Sequence, residues 1–170
     1  ARFMATLQRL VANAGVKFVW GADVSGWKIA EGRLRAASTT RGEFEADEFV
    51  VCGGSWSPGV VRELGLRIPI QAGKGYSLTL PIANASAAPF VSITDHKRKV
   101  VYARLGEELR VAGLADITNY RNDLDPERIQ VLVKQARDTF PEGADFSHIK
   151  TWCGLRPATP EGTPVLGRTR

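Results

Sequence analysis

Residues 67–81, RIPIQAGKGYSLTLP, mark a change of pattern in this chain of 170 residues. Apolar and polar side chains alternate along the stretch, which is typical of a β-strand with one buried face. Similar segments follow, separated by turns at residues 96–98 and 106–107. The pattern predicts antiparallel strands near residues 70–80, 89–95, 98–105 and 108–114.

A helix and a last strand are predicted after these segments. Asp125 followed by Pro126 is a typical helix start, because an N-cap side chain accepts a backbone hydrogen bond and proline fits the first turn. An apolar stripe at helical spacing follows, and Pro141 ends it. A strand near residues 147–155 then leads to Arg156.

The residues before position 67 follow other patterns. Apolar residues at helical spacing predict an amphipathic helix over residues 3–14. Short segments rich in β-branched and aromatic residues follow, with turns at 31–32 and 41–42, and are typical of a β-meander. The segment at 49–52, FVVC, is instead continuously apolar, which suits a strand covered on both faces, as in a parallel sheet.

The strand expected at 49–52 ends in Gly53 and Gly54, and Ser57 with Pro58 begins a short helix. A strand buried on both faces needs hydrogen-bonded neighbours, which the other segments do not supply. We therefore expect the first lobe to be incomplete and the chain to be an internal fragment of a longer protein. The fold class predicted is α+β: an α/β portion, followed by a mainly antiparallel sheet with flanking helices.

Composition and charge disfavour several classes of protein. A content of 44% hydrophobic and 24% charged residues is typical of globular proteins. The net charge is +5, and basic residues do not interleave with aromatic ones as nucleic-acid binding requires, so no nucleic-acid partner is expected. Cys52, Cys153, His96 and His148 are isolated from one another, so no metal site is expected. No apolar run approaches the roughly 20 residues that cross a bilayer.

Two stretches carry candidate chemistry. In TWCGLRPATPEGTPVLG, residues 151–167, Pro157 holds Arg156 in an extended backbone, and a stiffly held guanidinium can bind a carboxylate through two hydrogen bonds. A salt bridge between the lobes is the alternative. At Gly53 and Gly54 the missing Cβ atoms allow close approach of a flat ligand, or serve a tight turn that needs positive φ.

Four segments occur in the order and approximate spacing of one known family: residues 44–57, 68–80, 102–115 and 151–167. The sequence resembles the FAD-dependent D-amino acid oxidase superfamily, and within it the bacterial D-amino acid dehydrogenases. The runs GLRPATPEGTP and KGYSLT carry the most specific likeness. The resemblance implies a Rossmann-type FAD domain joined to a substrate domain with a large antiparallel sheet.

The resemblance also implies domain bounds and residue roles. Residues 1–67 would be part of the FAD-binding domain, residues 68–155 the substrate-binding domain, and residues 156–170 a segment returning toward the FAD domain. Arg156 is similar to the arginine that grips the substrate's α-carboxylate, and Tyr102 to a tyrosine that assists it. The positions that match cofactor contacts are Gly53, Gly54, Ser55, Trp56, Gly154 and Leu155.

The activity implied is FAD-dependent oxidative deamination of D-amino acids, with a hydride passing from Cα to flavin N5 to give an imino acid. The electron acceptor would be a quinone chain or oxygen, and the location cytoplasmic or peripheral on the inner face of the cell membrane. A glycine or sarcosine oxidase-like enzyme, or a cofactor-free carboxylate-binding module, are the alternatives. Since the sequence contains no G-x-G-x-x-G motif, we expect this chain alone to bind FAD weakly or not at all and to be inactive.

Overall fold

The computed structural model describes residues 2–169, and the chain divides into two compact units. The first comprises the residues up to Cys52 together with Gly59–Arg67. The second comprises Gly53–Pro58 together with the residues from Ile68 onward. The segment that contains the double glycine therefore packs with the second unit. No helix among residues 2–169 is long and apolar enough to cross a membrane.

The first unit contains a helix and a small antiparallel sheet. The helix α1 spans Arg2–Asn13, and the strands, in the order β1-β2-β3, are Val24–Ala30, Arg33–Thr39 and Gly42–Glu45. The predicted turns at 31–32 and 41–42 join these strands, as Gly32 and Gly42 take the positive φ angles that turns of this kind need. The meander predicted from the sequence is confirmed.

The strand predicted at 49–52 was wrong for this structure. Residues 46–53 form neither helix nor strand, and the Val50 side chain is 84% exposed. A segment whose backbone groups find no neighbouring strand cannot form a ladder, however apolar its side chains are. The helix predicted after it is present: α2 spans Ser57–Val61 and continues as a 3₁₀ turn, Arg62–Leu64.

The second unit is built on a five-stranded antiparallel sheet in the order β5-β6-β7-β4-β8. The strands are β4 Gln71–Pro81, β5 Ile93–Asp95, β6 Val100–Leu105, β7 Glu108–Ile117 and β8 Lys150–Ala158. The central strand β4 pairs with β7 on one side and with β8 on the other. The antiparallel sheet predicted from the alternating pattern is confirmed, and β8 extends three residues further than expected, so that it includes Arg156.

The helix α3, Pro126–Thr139, covers one face of this sheet. Asp125 caps it as predicted, since its side chain accepts hydrogen bonds from the backbone N–H groups of Glu127 and Arg128. Leu132 and Ala136 of the helix are fully buried against the strands. The strand side chains that complete this core are Tyr76, Leu78, Leu80, Val100, Tyr102, Leu109, Val111 and Cys153.

Strand alternation gives the sheet two different faces. We call the side packed on α3 the helix face and the other side the open face. Residues paired across an antiparallel ladder point to the same face, so the registers Ser77↔Trp152, Gly75↔Gly154 and Gly73↔Arg156 identify open-face residues. The intervening residues of β4 and β8 point to the helix face.

Candidate functional site

Arg156 lies on the open face near the end of β8. The strand pairing to Gly73 holds its backbone extended, as the following proline requires. The side chain is exposed, and it has no ion-pair partner among residues 2–169. Within the described residues of the second unit no carboxylate pairs with the guanidinium, which is available there for an anion.

Trp152 and Gly154 share the open face with Arg156. A Cβ atom added to Gly154 would overlap the Trp152 indole at Cη2 and Cζ2, so the ring lies directly over the glycine. The Arg110 guanidinium stands 5.9 Å from the indole ring and donates a 3.1 Å hydrogen bond to Ser77 Oγ. The indole is therefore held between a bare glycine and a cation, with 57% of the residue exposed.

These residues line one groove within the second unit. Its volume is about 950 Å³, which is in the range that accommodates a small organic ligand. Two guanidinium groups, those of Arg110 and Arg156, line it on the open face. Neither pairs with a carboxylate among residues 2–169, so the groove has two unpaired guanidinium groups beside one aromatic surface.

The structure does not bring Tyr102 to Arg156. Tyr102 is 0% exposed on the helix face, where its hydroxyl lies 3.3 Å from the Gln135 carbonyl oxygen and 3.2 Å from Thr139 Oγ1. A hydroxyl on this side of the sheet cannot reach an anion bound on the other side. The expected joint grip on one carboxylate is corrected accordingly, and Tyr102 belongs to the core in this structure. Leu155 also points to the helix face, because it pairs with Lys74.

The double-glycine segment lies beside β8. Gly54 begins a 3₁₀ turn, Gly54–Trp56, and a Cβ atom added to Gly54 would lie 3.8 Å from Pro157 Cγ. The φ of Gly54 is 55°, in the left-handed region, so the structure contains the tight turn with positive φ that was one of the two possibilities at this glycine. Pro157 points away from the open face, so the turn contacts the strand that carries Arg156 from its other side. Trp56 stacks on Tyr120 with ring centroids 6.3 Å apart.

A second polar cluster lies on the helix face at the same end of the sheet. Lys74 is 1% exposed, with Nζ 3.6 Å from Asp123 and 5.4 Å from the Tyr76 ring centroid. Burial, and then the hydrogen bond donated to Asp116, raise the pKa of Tyr76. The hydrogen bonds from Arg128 lower the pKa of Asp116. These charges compensate one another, so the cluster joins α3 and the loop after β7 to the sheet.

Sequence reasoning missed three open-face residues: Ser77, Arg110 and Trp152. The signal for Trp152 was present, since it precedes Arg156 by four positions and the period of a strand is two. Arg110 and Ser77 belong to other strands, and only the register places them beside Trp152. No group of three or more possible metal ligands occurs among residues 2–169.

The chain matches the family described as FAD dependent oxidoreductase over residues 1–170, and it belongs to this family. It is 43% identical over 168 residues to the D-amino acid dehydrogenase of Agrobacterium fabrum, covering 99% of this chain and 40% of that protein. It is 41% identical over 168 residues to the D-amino acid dehydrogenase of Paramagnetospirillum magneticum, with the same coverage. The chain thus spans about 40% of the length of these relatives.

Solved structures share the fold at low sequence identity. Glycine oxidase from Geobacillus kaustophilus superposes with a TM-score of 0.80 at 18% identity, over 93% of this chain and 42% of that one. Iminodiacetate oxidase from Chelativorans sp. superposes with a TM-score of 0.79 at 22% identity, over 96% of this chain and 44% of that one. The mixed fold with antiparallel sheets predicted from the sequence is that of this group of enzymes.

The residues present fit part of an FAD site. The backbone at Gly53 and Gly54 carries no side chain, and Trp56 offers a half-exposed ring. The buried Ser55 Oγ has no hydrogen-bond partner in the part of the chain that the structure describes, so a polar group remains to be satisfied there. No G-x-G-x-x-G turn is present in the sequence to hold a pyrophosphate.

Proposed function

We propose that the protein containing this chain oxidises α-amino acids in an FAD-dependent reaction, with D-amino acids as its substrates, and that the open face holds the substrate carboxylate. The observation that carries the proposal is the Arg156 guanidinium, which is fixed on a paired strand and free of any carboxylate among residues 2–169. The D configuration is supported by the names of relatives 41–43% identical to this chain.

Arg156 acts as an anchor in this proposal. A planar guanidinium on a strand can donate two parallel hydrogen bonds to one carboxylate, which fixes both the position and the orientation of the substrate. The uncompensated charge of Arg110 on the same face adds to the attraction for an anion. Positioning of this kind lowers the barrier by holding the Cα hydrogen in one place relative to its acceptor.

FAD would supply the acceptor for the Cα hydride, and the residues of this chain that would contact it are Gly53, Gly54, Ser55, Trp56 and Gly154. Leu155 belongs to this set too, since its side chain points to the side of the sheet on which the double-glycine turn contacts Pro157. The backbone of Gly53 and Gly54 allows close approach, and Gly154, which the Trp152 ring covers on the open face, would meet the cofactor through its backbone. The cofactor's phosphates would need residues other than these.

The proposal also covers the electron acceptor and the cellular location of the protein. We infer either a quinone chain at the inner face of the cell membrane or dissolved oxygen, and the dehydrogenase names of the relatives favour the first. Oxygen consumption by the full-length protein during turnover of D-alanine separates the two. Turnover that stops without an added quinone analogue supports the quinone chain.

The test of the anchor is the substitution Arg156→Ala in the full-length, FAD-loaded protein. The KM for D-alanine should rise by roughly a hundredfold, or about 3 kcal/mol, because charge-assisted hydrogen bonds are lost and the carboxylate stays desolvated. The KM of Arg156→Lys should lie between those of the unaltered protein and Arg156→Ala, since lysine keeps the charge but cannot donate two parallel hydrogen bonds. Arg33→Ala, on β2, is the control and should leave the KM unchanged. An unaltered KM in Arg156→Ala would contradict the proposal.

A further inference from the structure

We propose that Trp152 selects the side chain of the substrate. Its indole, held over Gly154 beside Arg156, forms a wall against which an aromatic or long apolar side chain packs. This inference rests on the proposed function, because it takes Arg156 as the carboxylate anchor. It adds a substrate class, amino acids with aromatic or large apolar side chains, and a residue that determines it.

The position of Trp152 relative to the anchor follows from the strand. Alternate residues on one face are about 7 Å apart along the chain, so Trp152, Gly154 and Arg156 form a row. The indole leans along this row toward Arg156, because its six-membered ring lies over Gly154. An aromatic surface therefore lies next to the strand position that carries the proposed anchor.

Contacts on two sides hold the indole in this orientation. Gly154 leaves room for the ring on the sheet, and any larger residue there would displace it. The Arg110 guanidinium, 5.9 Å from the ring, adds a cation–π contact and is itself held by Ser77 Oγ at 3.1 Å. A ring held this way before the ligand arrives costs little conformational entropy on binding.

The exposed part of the indole lines the groove rather than the core. Trp152 is 57% exposed and borders the groove of about 950 Å³ together with Arg156. Apolar side chains bury surface by packing on such a ring, and a phenyl ring gains a further contribution from edge or offset stacking. Alanine, with one methyl group, gains little from it. Discrimination by Trp152 should therefore grow with the size of the side chain.

The test uses two carboxylates that cannot be oxidised as amines. Propanoate and 3-phenylpropanoate are alanine and phenylalanine without their amino groups, and calorimetry on the full-length, FAD-loaded protein gives their dissociation constants. The unaltered protein should bind 3-phenylpropanoate about tenfold more tightly than propanoate. Trp152→Ala should reduce this preference to about twofold or less and change propanoate binding by less than about twofold. Trp152→Phe should keep part of the preference.

A second variant tests the wall without removing the ring. Gly154→Ala places a Cβ atom where the indole lies, so the ring must move and the preference should fall as in Trp152→Ala. The double variant should lose no more preference than either single one. The flavin absorption spectrum should be unchanged in Trp152→Ala. In Gly154→Ala a spectral shift would report the proposed contact of Gly154 with the cofactor, separately from the loss of preference. Trp20→Ala, an exposed tryptophan in the first unit, is the control and should keep the full preference.

The outcomes separate this inference from the proposed function. If Arg156→Ala abolishes the binding of both carboxylates while Trp152→Ala leaves the preference intact, the wall is refuted and the anchor stands. Equal weakening of both ligands in Trp152→Ala indicates a structural role and also refutes the wall. If Arg156→Ala leaves both affinities unchanged, the proposed function itself fails.

Discussion

The two faces of the five-stranded sheet use the same strands for different purposes. On the helix face, Leu78 and Val111 are fully buried under α3. On the open face, the neighbouring positions in the same ladders hold Ser77, Trp152 and Arg156. The first set fills space with apolar volume, and the second presents a cation and an aromatic ring to a groove.

The difference indicates how one strand can serve both stability and the recognition that we propose. Successive residues of β8 point to opposite faces: Cys153 packs in the core, and the Trp152 indole rests on Gly154 on the open face. The backbone of Arg156 is held by the ladder to β4, and the buried face holds that ladder in place. Substitutions on the helix face should therefore change stability, and substitutions on the open face should change binding.

The largest effect is expected for Leu78→Ala on the helix face. Leu78 is 0% exposed at the centre of β4, and truncating a buried leucine removes apolar contacts and leaves a cavity. The free energy of unfolding should fall by about 2–5 kcal/mol, measured by urea denaturation. The dissociation constant of 3-phenylpropanoate, measured on the folded protein, should stay the same.

Leu105→Ala is the matched control, because it makes the same truncation at an exposed position on the open face. It should change the free energy of unfolding by less than about 0.5 kcal/mol. Equal losses of stability from Leu78→Ala and Leu105→Ala would contradict the assignment of the two faces.

A smaller effect is expected for Tyr102→Phe, which removes only a hydroxyl from the helix face. The hydrogen bonds to Gln135 and Thr139 are lost, and the ring keeps its edge contact with Phe140. The free energy of unfolding should fall by about 1 kcal/mol. The KM for D-alanine should not change, whereas a hydroxyl that assists Arg156 would raise the KM when removed. Kinetics of this variant therefore decide between the role that the resemblance implied and the position that the structure shows.

Most of the fold was readable from the sequence, because local patterns specify it. The alternation from residue 70 onward predicted β4 to β7, and the Asp125-Pro126 start predicted α3. The prediction of a strand at 49–52 was wrong. The apolar run indicated burial, but a strand also needs neighbouring strands to pair with. A periodicity reports which side chains favour burial, but pairing depends on what lies beside the segment.

The candidate site was predictable only along one strand. The Gly-Leu-Arg-Pro frame indicated Arg156 as a candidate, and Gly154 lies on the same strand. The roles of both residues stay predictions. The relation of Tyr102 to Arg156 depends on which face each residue occupies, and that follows from registers across β6, β7, β4 and β8. The same registers bring Arg110 to Trp152, so no spacing within the chain could have shown that pair.

The smallest change in stability is expected in the loop between α3 and β8. This loop connects the helix that covers the helix face to the strand that carries Trp152 and Arg156 on the open face. The Asp145 carboxylate accepts hydrogen bonds from the backbone N–H and the hydroxyl of Ser147, and lies 2.8 Å from His148 Nδ1. These contacts lower the pKa of Asp145 from 3.8 to about 2, with the Ser147 hydroxyl contributing most. A carboxyl group whose pKa is lower in the folded protein stabilises the fold above its ordinary pKa, and the contribution is lost as the pH falls toward about 2.

Asp145→Asn should therefore be slightly less stable than the unaltered protein at neutral pH, and the difference in urea midpoint should shrink between pH 3.8 and about 2. Asp47→Asn removes one charge elsewhere and serves as the control. A difference for Asp145→Asn that stays constant over that range would show that the carboxylate charge does not hold this connection, while leaving the assignment of the two faces to the Leu78 and Leu105 pair.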